Sequence, residues 1–223
     1  MKGWKTRRLA DIADFCLGKM LDQRKNRGET LPYLANINVR WGEFDLTNLR
    51  SMRFEPHELD RYGLKFGDIV MCEGGEPGRC AIWKENQPGM MFQKALHRIR
   101  PHPGLDSSYL YYSFLQMGRT GHLAQYFTGA TIKHMPREKL AKVEITHPSL
   151  NIQQRIASIL SAYDDLIANN RRRIQLLEEA ARLLYREWFV RLRFPGHEHA
   201  KIRDGVPEGW KRGPLGQLCV EVR

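Results

Sequence analysis

The chain has 223 residues, enough for one large domain or two small ones with a sizeable buried core. Lys and Arg outnumber Asp and Glu by 36 to 25, a net charge of +11 with a pI of about 9.7, which points to a polyanionic partner, nucleic acid ahead of an acidic membrane. A mean hydropathy of −0.54 with no long apolar run excludes a transmembrane helix, and four scattered cysteines (Cys16, Cys72, Cys80, Cys219) without a CxxC pair argue for free thiols in a reducing compartment rather than a zinc site.

Met1 to Arg8 is basic and no apolar segment follows it, so no signal peptide is expected and the location is expected to be cytoplasmic. Gly3-Trp4-Lys5 returns as Gly209-Trp210-Lys211, 206 residues later, and at the same offset Leu9 maps onto Leu215 and Ile12 onto Leu218. The repeat implies a two-copy architecture whose second copy has only begun when the sequence ends.

Between Lys19 and Arg27 lies a basic loop containing Lys19, Arg24, Lys25 and Arg27. Leu34, Ile37 and Val39 predict an extended segment, and Gly42-Glu43 a turn toward Phe44 and Leu46. Gly67-Asp68 precedes a strand, Ile69 to Cys72; a Gly-rich turn, Glu73 to Gly78, leads into a second strand, Arg79 to Trp83. Leu96 and Ile99 mark another strand, Tyr109–Met117 and Arg119–Tyr126 read as helices, and Val143 to Ile145 closes the region. Mixed strands and helices up to Pro148 predict one α/β (α+β) globular domain over residues 1–148.

From Ser149 to Phe194 there is neither Gly nor Pro. Apolar residues fall at steps of three and four: Ile152, Ile156, Ile159, Tyr163, Leu166, Ile174, Leu177, Ala181, Leu184 and Trp188, with Asn170 in the same seam. This predicts a coiled-coil-forming helix over 149–194, begun near Pro148-Ser149 and ended at Pro195-Gly196, on the order of 60 Å long. Residues 195–223 then form a linker and the start of the second repeat.

The Gly-rich turn lacks the Gly-Lys-Ser/Thr ending of a phosphate loop and precedes a strand. No Rossmann fingerprint, amino-methyltransferase motif or nuclease carboxylate set appears, and His197-Glu198-His199 has no evident third ligand. The residues therefore read as a binding protein with no catalytic residue and no metal site. Specific DNA binding needs cations for phosphates and Arg, Lys, Asn or Gln for base edges. The candidates are Lys19, Arg24, Lys25, Arg27, Asn36, Asn38, Arg40, Trp41, Arg79, Gln93, Lys94, Thr128, Thr131, Lys133 and His134, with Gly74 and Gly75 allowing close backbone approach.

Set together, these pieces resemble the specificity subunit of type I restriction-modification enzymes. The resemblance rests on Gly3-Trp4-Lys5, Leu9 and Asp11-Ile12-Ala13, on Gly67-Asp68-Ile69-Val70 with Gly78-Arg79, and on Gly129, Thr131 and Lys133. It rests most on Ile145, Pro148, Leu150, Gln153-Gln154, Ile156 and Ile159-Leu160 leading into the helix, and on Pro207-Glu208-Gly209-Trp210-Lys211 as a second start. The family resemblance implies a target-recognition domain reading one half of a split double-stranded DNA site and a long helix that pairs antiparallel with another. It also implies modification subunits that use S-adenosylmethionine, and restriction subunits that use ATP and Mg, with no cofactor held by this chain. With one recognition domain and one helix, the sequence is expected to be an expressed fragment or a half-length subunit that self-associates through its helix. Two alternatives stand beside this reading: a protein-interaction module or decoy that binds modification subunits through the helix, and an unrecognised DNA-modifying enzyme.

Overall fold

The computed structural model describes residues 3–22, 26–85, 87–203, 205–211 and 213–214. It divides into two compact units, Met1–Ala162 and Tyr163–Arg223.

In the first unit, strand β1 (Lys5–Arg8) runs into a single helical turn, α1 (Leu9–Ile12), and then β2 (Ala13–Leu17). Strands β3 (Glu29–Leu34) and β4 (Arg50–Phe54) precede helix α2 (Pro56–Tyr62), followed by β5 (Ile69–Cys72), β6 (Cys80–Ile82), β7 (Met91–Phe92) and β8 (Leu96–Pro101). Helices α3 (Ser107–Arg119) and α4 (Arg137–Leu140) lead to β9 (Glu144–His147) and the long α5 (Leu150–Tyr185).

The central sheet is antiparallel in the order β2-β8-β5-β6. Every β5 residue is buried, because both faces of this sheet are covered. Ile69 and Met71 point to the larger core with Tyr109, Leu110 and Phe114 of α3, while Val70 and Cys72 point to a second core with Leu34, Trp83 and Phe92. A smaller sheet, β4-β3-β7, lies on that second side, with β3 and β7 parallel. Strands β1 and β9 form a separate antiparallel pair that registers Lys5 with His147 and Arg8 with Glu144.

Strands β5 and β6 form where their apolar runs predict them, and β8 forms around Leu96 and Ile99. Strands β1 and β4 have no such run. Lys5-Thr6-Arg7-Arg8 is exposed throughout, and only Met52 and Phe54 of β4 are buried. The extended segment expected through Ile37 is instead a 3-10 turn, Asn36–Asn38. The Asn38 amide closes it by accepting from the Ala35 N–H and donating to the Asp45 carbonyl. The helix expected over 119–126 reduces to one 3-10 turn, Ala124–Tyr126, because Thr120, whose amide caps α3, and Gly121 at φ +76° break the run.

Two polar side chains organise the first unit. Asp68, almost wholly buried, receives both Arg100 nitrogens at 2.7 Å and the Lys65 amide. Gln153, at 0 % exposure, accepts from the Asp106 N–H at 2.8 Å and donates to the Pro148 carbonyl at 2.9 Å. Ala157 is buried one turn further along α5, and Ile156 packs partly against the larger core, so this stretch of the stripe faces the domain.

His97 on β8 is fully buried, and its Nε2–H donates to the Met135 carbonyl at 2.8 Å. Burial holds its imidazole below the ordinary value of 6.5, with the Met135 hydrogen bond pulling the other way. Once unfolded, the ring takes a proton below pH 6.5 that the folded ring refuses. Folding stability is therefore full above 6.5 and declines as pH falls below it, by at most about 1.4 kcal/mol per pH unit. Urea unfolding at pH 7.5 and 5.5 is expected to show that decline and a smaller one in His97→Gln. Equal slopes in the two proteins would assign the pH dependence elsewhere.

In the second unit α5 ends at Tyr185, and residues Arg186–Val190 continue as a π-helix, short of the expected end at Phe194. Leu192 at φ +55° turns the chain away before Pro195 is reached. Past the turn, the Trp210 ring packs tilted at 5.5 Å from Phe189 and 5.2 Å from Phe194. A short antiparallel pair, β10 (Ile202–Arg203) and β11 (Val206–Pro207), leads to the second Gly-Trp-Lys. Gly3 and Gly209 share φ +92° with open space where a Cβ would stand, so the repeated tripeptide repeats in conformation at its glycine. Leu215 and Leu218 lie outside the described residues.

Candidate nucleic-acid interface

Four loops of the first unit are tied together by their own polar groups. The 3-10 turn at 36–38 meets the Gly-rich turn through Asn36 Nδ2, which donates to the Gly74 carbonyl at 2.7 Å. Arg79 crosses the same gap: its Nη2 donates to the Asn36 carbonyl at 3.0 Å and to Asn36 Oδ1 at 2.8 Å, and its Nη1 donates to Glu76 Oε2 at 2.9 Å. Glu76 also accepts from Trp41 Nε1 at 2.6 Å, and the Trp41 ring lies where a Gly118 side chain would be.

The loop between Thr128 and His134 joins from the other side. Thr128 and His134 exchange backbone hydrogen bonds, closing a five-residue tip, Gly129 to Lys133. The base of the tip is held by a bridge from Gly74 to His134 and by the Met135 amide donating to the Glu73 carbonyl. A Cβ on Gly74 would strike the His134 imidazole at 2.6 Å, and one on Gly129, at φ +92°, would strike the Ile132 carbonyl at 2.2 Å. These two glycines are required by close approach. Gln93 and Lys94 adjoin the same loops, since the Gln93 amide donates to Leu34 and the Glu73 amide to Ala95.

Most of the sequence candidates therefore converge, but they divide into structural and exposed groups. Lys19 is buried at 5 % exposure rather than offered to solvent. Its ammonium donates to the Arg53 carbonyl, pairs with Glu58 and sits 5.1 Å over the Phe54 ring. Burial raises the Glu58 carboxyl, but the Lys19 and Glu55 hydrogen bonds outweigh it and hold it below its ordinary value. Asn38 is likewise internal, with both ends of its amide engaged. Asn36 and Arg79 are engaged with each other. Arg27, Arg40, Trp41, Gly75, Lys94, Thr131, Lys133 and His134 are exposed, with Arg40 3.9 Å from Asp45; Thr128 and Gln93 are half-buried and Gly74 buried. Arg24 and Lys25 lie outside the described residues. Sequence reasoning missed Glu76, whose signal was its spacing three residues before Arg79, and His97, which pins the Thr128–His134 loop through Met135 and has no local signal.

Along α5 the seam residues Ile152, Ile159, Tyr163, Leu166, Asn170, Ile174, Leu177, Ala181, Leu184 and Trp188 are exposed, and Ile156 is half-buried. Among the described residues no group of three or more His, Cys, Asp or Glu side chains could hold a metal ion, and His197-Glu198-His199 forms a 3-10 turn. No described helix is long and apolar enough to cross a membrane.

Comparison with known proteins places these features in one family. The chain is 28 % identical over 235 aligned residues to the type I restriction enzyme MjaIX specificity subunit of Methanocaldococcus jannaschii, covering 97 % of this chain and 52 % of that protein. It is 25 % identical to the MjaVIII specificity subunit of the same organism, covering 93 % and 47 %. The chain thus spans about half the length of the curated relatives it matches. In fold it is similar to a type I restriction-modification S subunit from M. genitalium, with a TM-score of 0.62 at 19 % identity over 88 % of this chain and 48 % of that one. It is also similar to an HsdS subunit from Thermoanaerobacter tengcongensis, with a TM-score of 0.55 at 18 % identity over 77 % and 40 %. The model of the type I restriction modification DNA specificity domain matches residues 1–179, and the chain belongs to that family.

Proposed function

We propose that this chain is a DNA sequence-recognition unit of a type I restriction-modification system that reads one half-site and scaffolds modification subunits, with no catalytic centre of its own. In this reading residues 1–148 recognise double-stranded DNA, residues 149–194 form the spacer and subunit interface, and residues 195–223 are a linker and the start of a second repeat. Modification subunits bring S-adenosylmethionine, and restriction subunits bring ATP and Mg, to a cytoplasmic complex in which two copies of this chain pair through their helices.

The observation that carries the reading is the knitted surface of loops 36–41, 73–79 and 128–134 in a chain of net charge +11. A preformed, cross-tied loop surface suits base reading, because no ordering entropy is lost when DNA docks. Exposed cations at its rim, Lys133 and Arg40, suit phosphate contacts.

Salt-titrated binding to selected and random duplexes tests it. Affinity is expected to fall steeply with salt while one sequence stays preferred. Lys133→Ala should weaken binding to all sequences and lower the log–log salt slope by about 0.9, the loss of one phosphate contact. Arg79→Ala, whose guanidinium ties loops together, should instead erode sequence preference with the slope unchanged. Binding without preference for any sequence would favour the protein-interaction reading. Turnover of DNA or S-adenosylmethionine by the purified chain would favour the enzyme.

A further inference from the structure

Several of the side chains equipped to read base edges on the knitted surface are already spent. Asn36 gives its amide N–H to Gly74 and its oxygen to Arg79. Asn38 is closed on Ala35 and Asp45. Arg79 is held by Asn36 and Glu76, and Trp41 Nε1 donates to Glu76. Breaking the Asn36–Gly74, Asn36–Arg79 or Asn38 hydrogen bonds to reach a base would leave partly buried partners unsatisfied, at a cost comparable to the gain.

Two apolar side chains rise from the same loops into solvent. Ile37 sits at the middle of the Asn36–Asn38 turn and is 54 % exposed; Ile132 sits in the tip of the Thr128–His134 loop and is 63 % exposed. Neither is left out by loose packing. Ile37 is flanked by two fully engaged asparagines, and Ile132 is raised by a tip whose base is hydrogen-bonded to Thr128, Gly74 and Glu73. The loops that carry them meet the same Gly-rich turn, one through the Asn36 side chain donating to the Gly74 carbonyl and the other through the Gly74–His134 bridge. Held on a cross-tied support, the two side chains offer apolar contact area that needs little ordering when a partner docks.

Resting on the DNA-recognition reading above, we infer that Ile37 and Ile132 are specificity-determining residues that read the C5-methyl group of thymine in the major groove. The thymine methyl is the apolar mark on the major-groove edge, and aliphatic side chains contact it without needing a hydrogen-bond donor. Lys133, next to Ile132, and Arg40, beyond the turn that carries Ile37, are exposed cations within reach of the flanking backbone. Half-site discrimination in this chain would then owe as much to methyl contacts as to polar readout.

The test uses a duplex selected from a random library by the wild-type chain, alone and assembled with its modification subunits. The duplex is remade with dU in place of each dT in turn, which removes one methyl group and no hydrogen bond. Wild type is expected to lose about fourfold in affinity at one or more positions, the worth of one buried methyl. In Ile37→Ala or Ile132→Ala the same position should show no further loss on dU substitution, and Ile132→Val should keep the discrimination. Both sites are exposed, and unchanged melting curves would show that the variants fold. A selected sequence without thymine, a wild type indifferent to every dU substitution, or alanine variants that lose as much as wild type would each overturn this inference while leaving DNA recognition intact. A wild type that selects no sequence overturns both.

Discussion

Replacing Gln153 with leucine is expected to destabilise the first unit by on the order of 3 kcal/mol or more, while Gln154→Ala next to it stays within about 0.5 kcal/mol of wild type. The asymmetry follows from burial. Gln154 is exposed, whereas the Gln153 amide is enclosed and serves three segments at once. Its oxygen accepts from the Asp106 amide, and its nitrogen donates to Pro148 and, at 3.2 Å, to Gly104. Asp106 in turn caps α3 by accepting from the Tyr109 amide at 2.8 Å. Leucine matches the volume but leaves the half-buried Asp106 N–H without a partner and the buried Pro148 carbonyl with only the His147 ring at 3.2 Å, and each lost partner costs about 1–3 kcal/mol. At roughly 2–4 °C per kcal/mol for a chain of this size, the melting temperature should fall by about 6–12 °C. A Gln153→Leu protein that melts with wild type would show that the three segments are held together by packing alone.

The pair Gln153-Gln154 also shows where sequence reading stops. The junction from Pro148 into the helix was legible, because a Pro followed by a long run free of Gly and Pro leaves few alternatives. Which glutamine is buried was not, since it depends on the helix phase set by Ala157 and on a loop, Gly104 to Asp106, that is distant in sequence. Strand β5 was legible for the opposite reason: a strand covered on both faces selects a continuous apolar run, whereas β8 carries only Leu96 and Ile99 among His97, Arg98 and Arg100. Strands β1 and β4 were hidden because pairing partners, Thr146 for Thr6 and Met52's neighbour Leu31, supply what composition does not. Among the interface candidates, residue type located the loops but could not separate exposed side chains from structural ones. Lys19 and Lys133 are both lysines in polar stretches; one finds Glu58 and a buried carbonyl, the other finds solvent. Ile37 and Ile132 were passed over because an aliphatic residue in a sequence reads as core. Only the folded loops reveal that more than half of each stays exposed.

Substituting Leu177 and Leu184 together with aspartate is expected to convert a self-associated chain into one with the mass of a single 26.0 kDa copy, read by light scattering at micromolar concentration. In the second unit Tyr163, Leu166, Ile174, Leu177 and Leu184 are each more than half exposed, an apolar stripe far larger than a stable monomer keeps in water. The seam also has a geometry suited to a helical partner. Within α5 of the second unit, Tyr163, Leu166, Asn170, Ile174, Leu177, Ala181 and Leu184 cover 21 residues in six steps. The mean step of 3.5 is the heptad spacing, which keeps the stripe facing a second helix laid along it. Each buried leucine contributes about 1.5–3 kcal/mol, and an unpaired carboxylate in its place costs several more. In a twofold dimer every substitution is felt twice, four carboxylates in all, which exceeds the free energy of a micromolar association. Arg182→Glu, outside the seam, should leave the mass unchanged and serves as the control, with the His97 and Gln153 regions folded in both proteins. An unchanged mass in the Leu177→Asp, Leu184→Asp protein would refute the seam, and a monomeric wild type at the same concentration would mean that the stripe is reserved for a different helix.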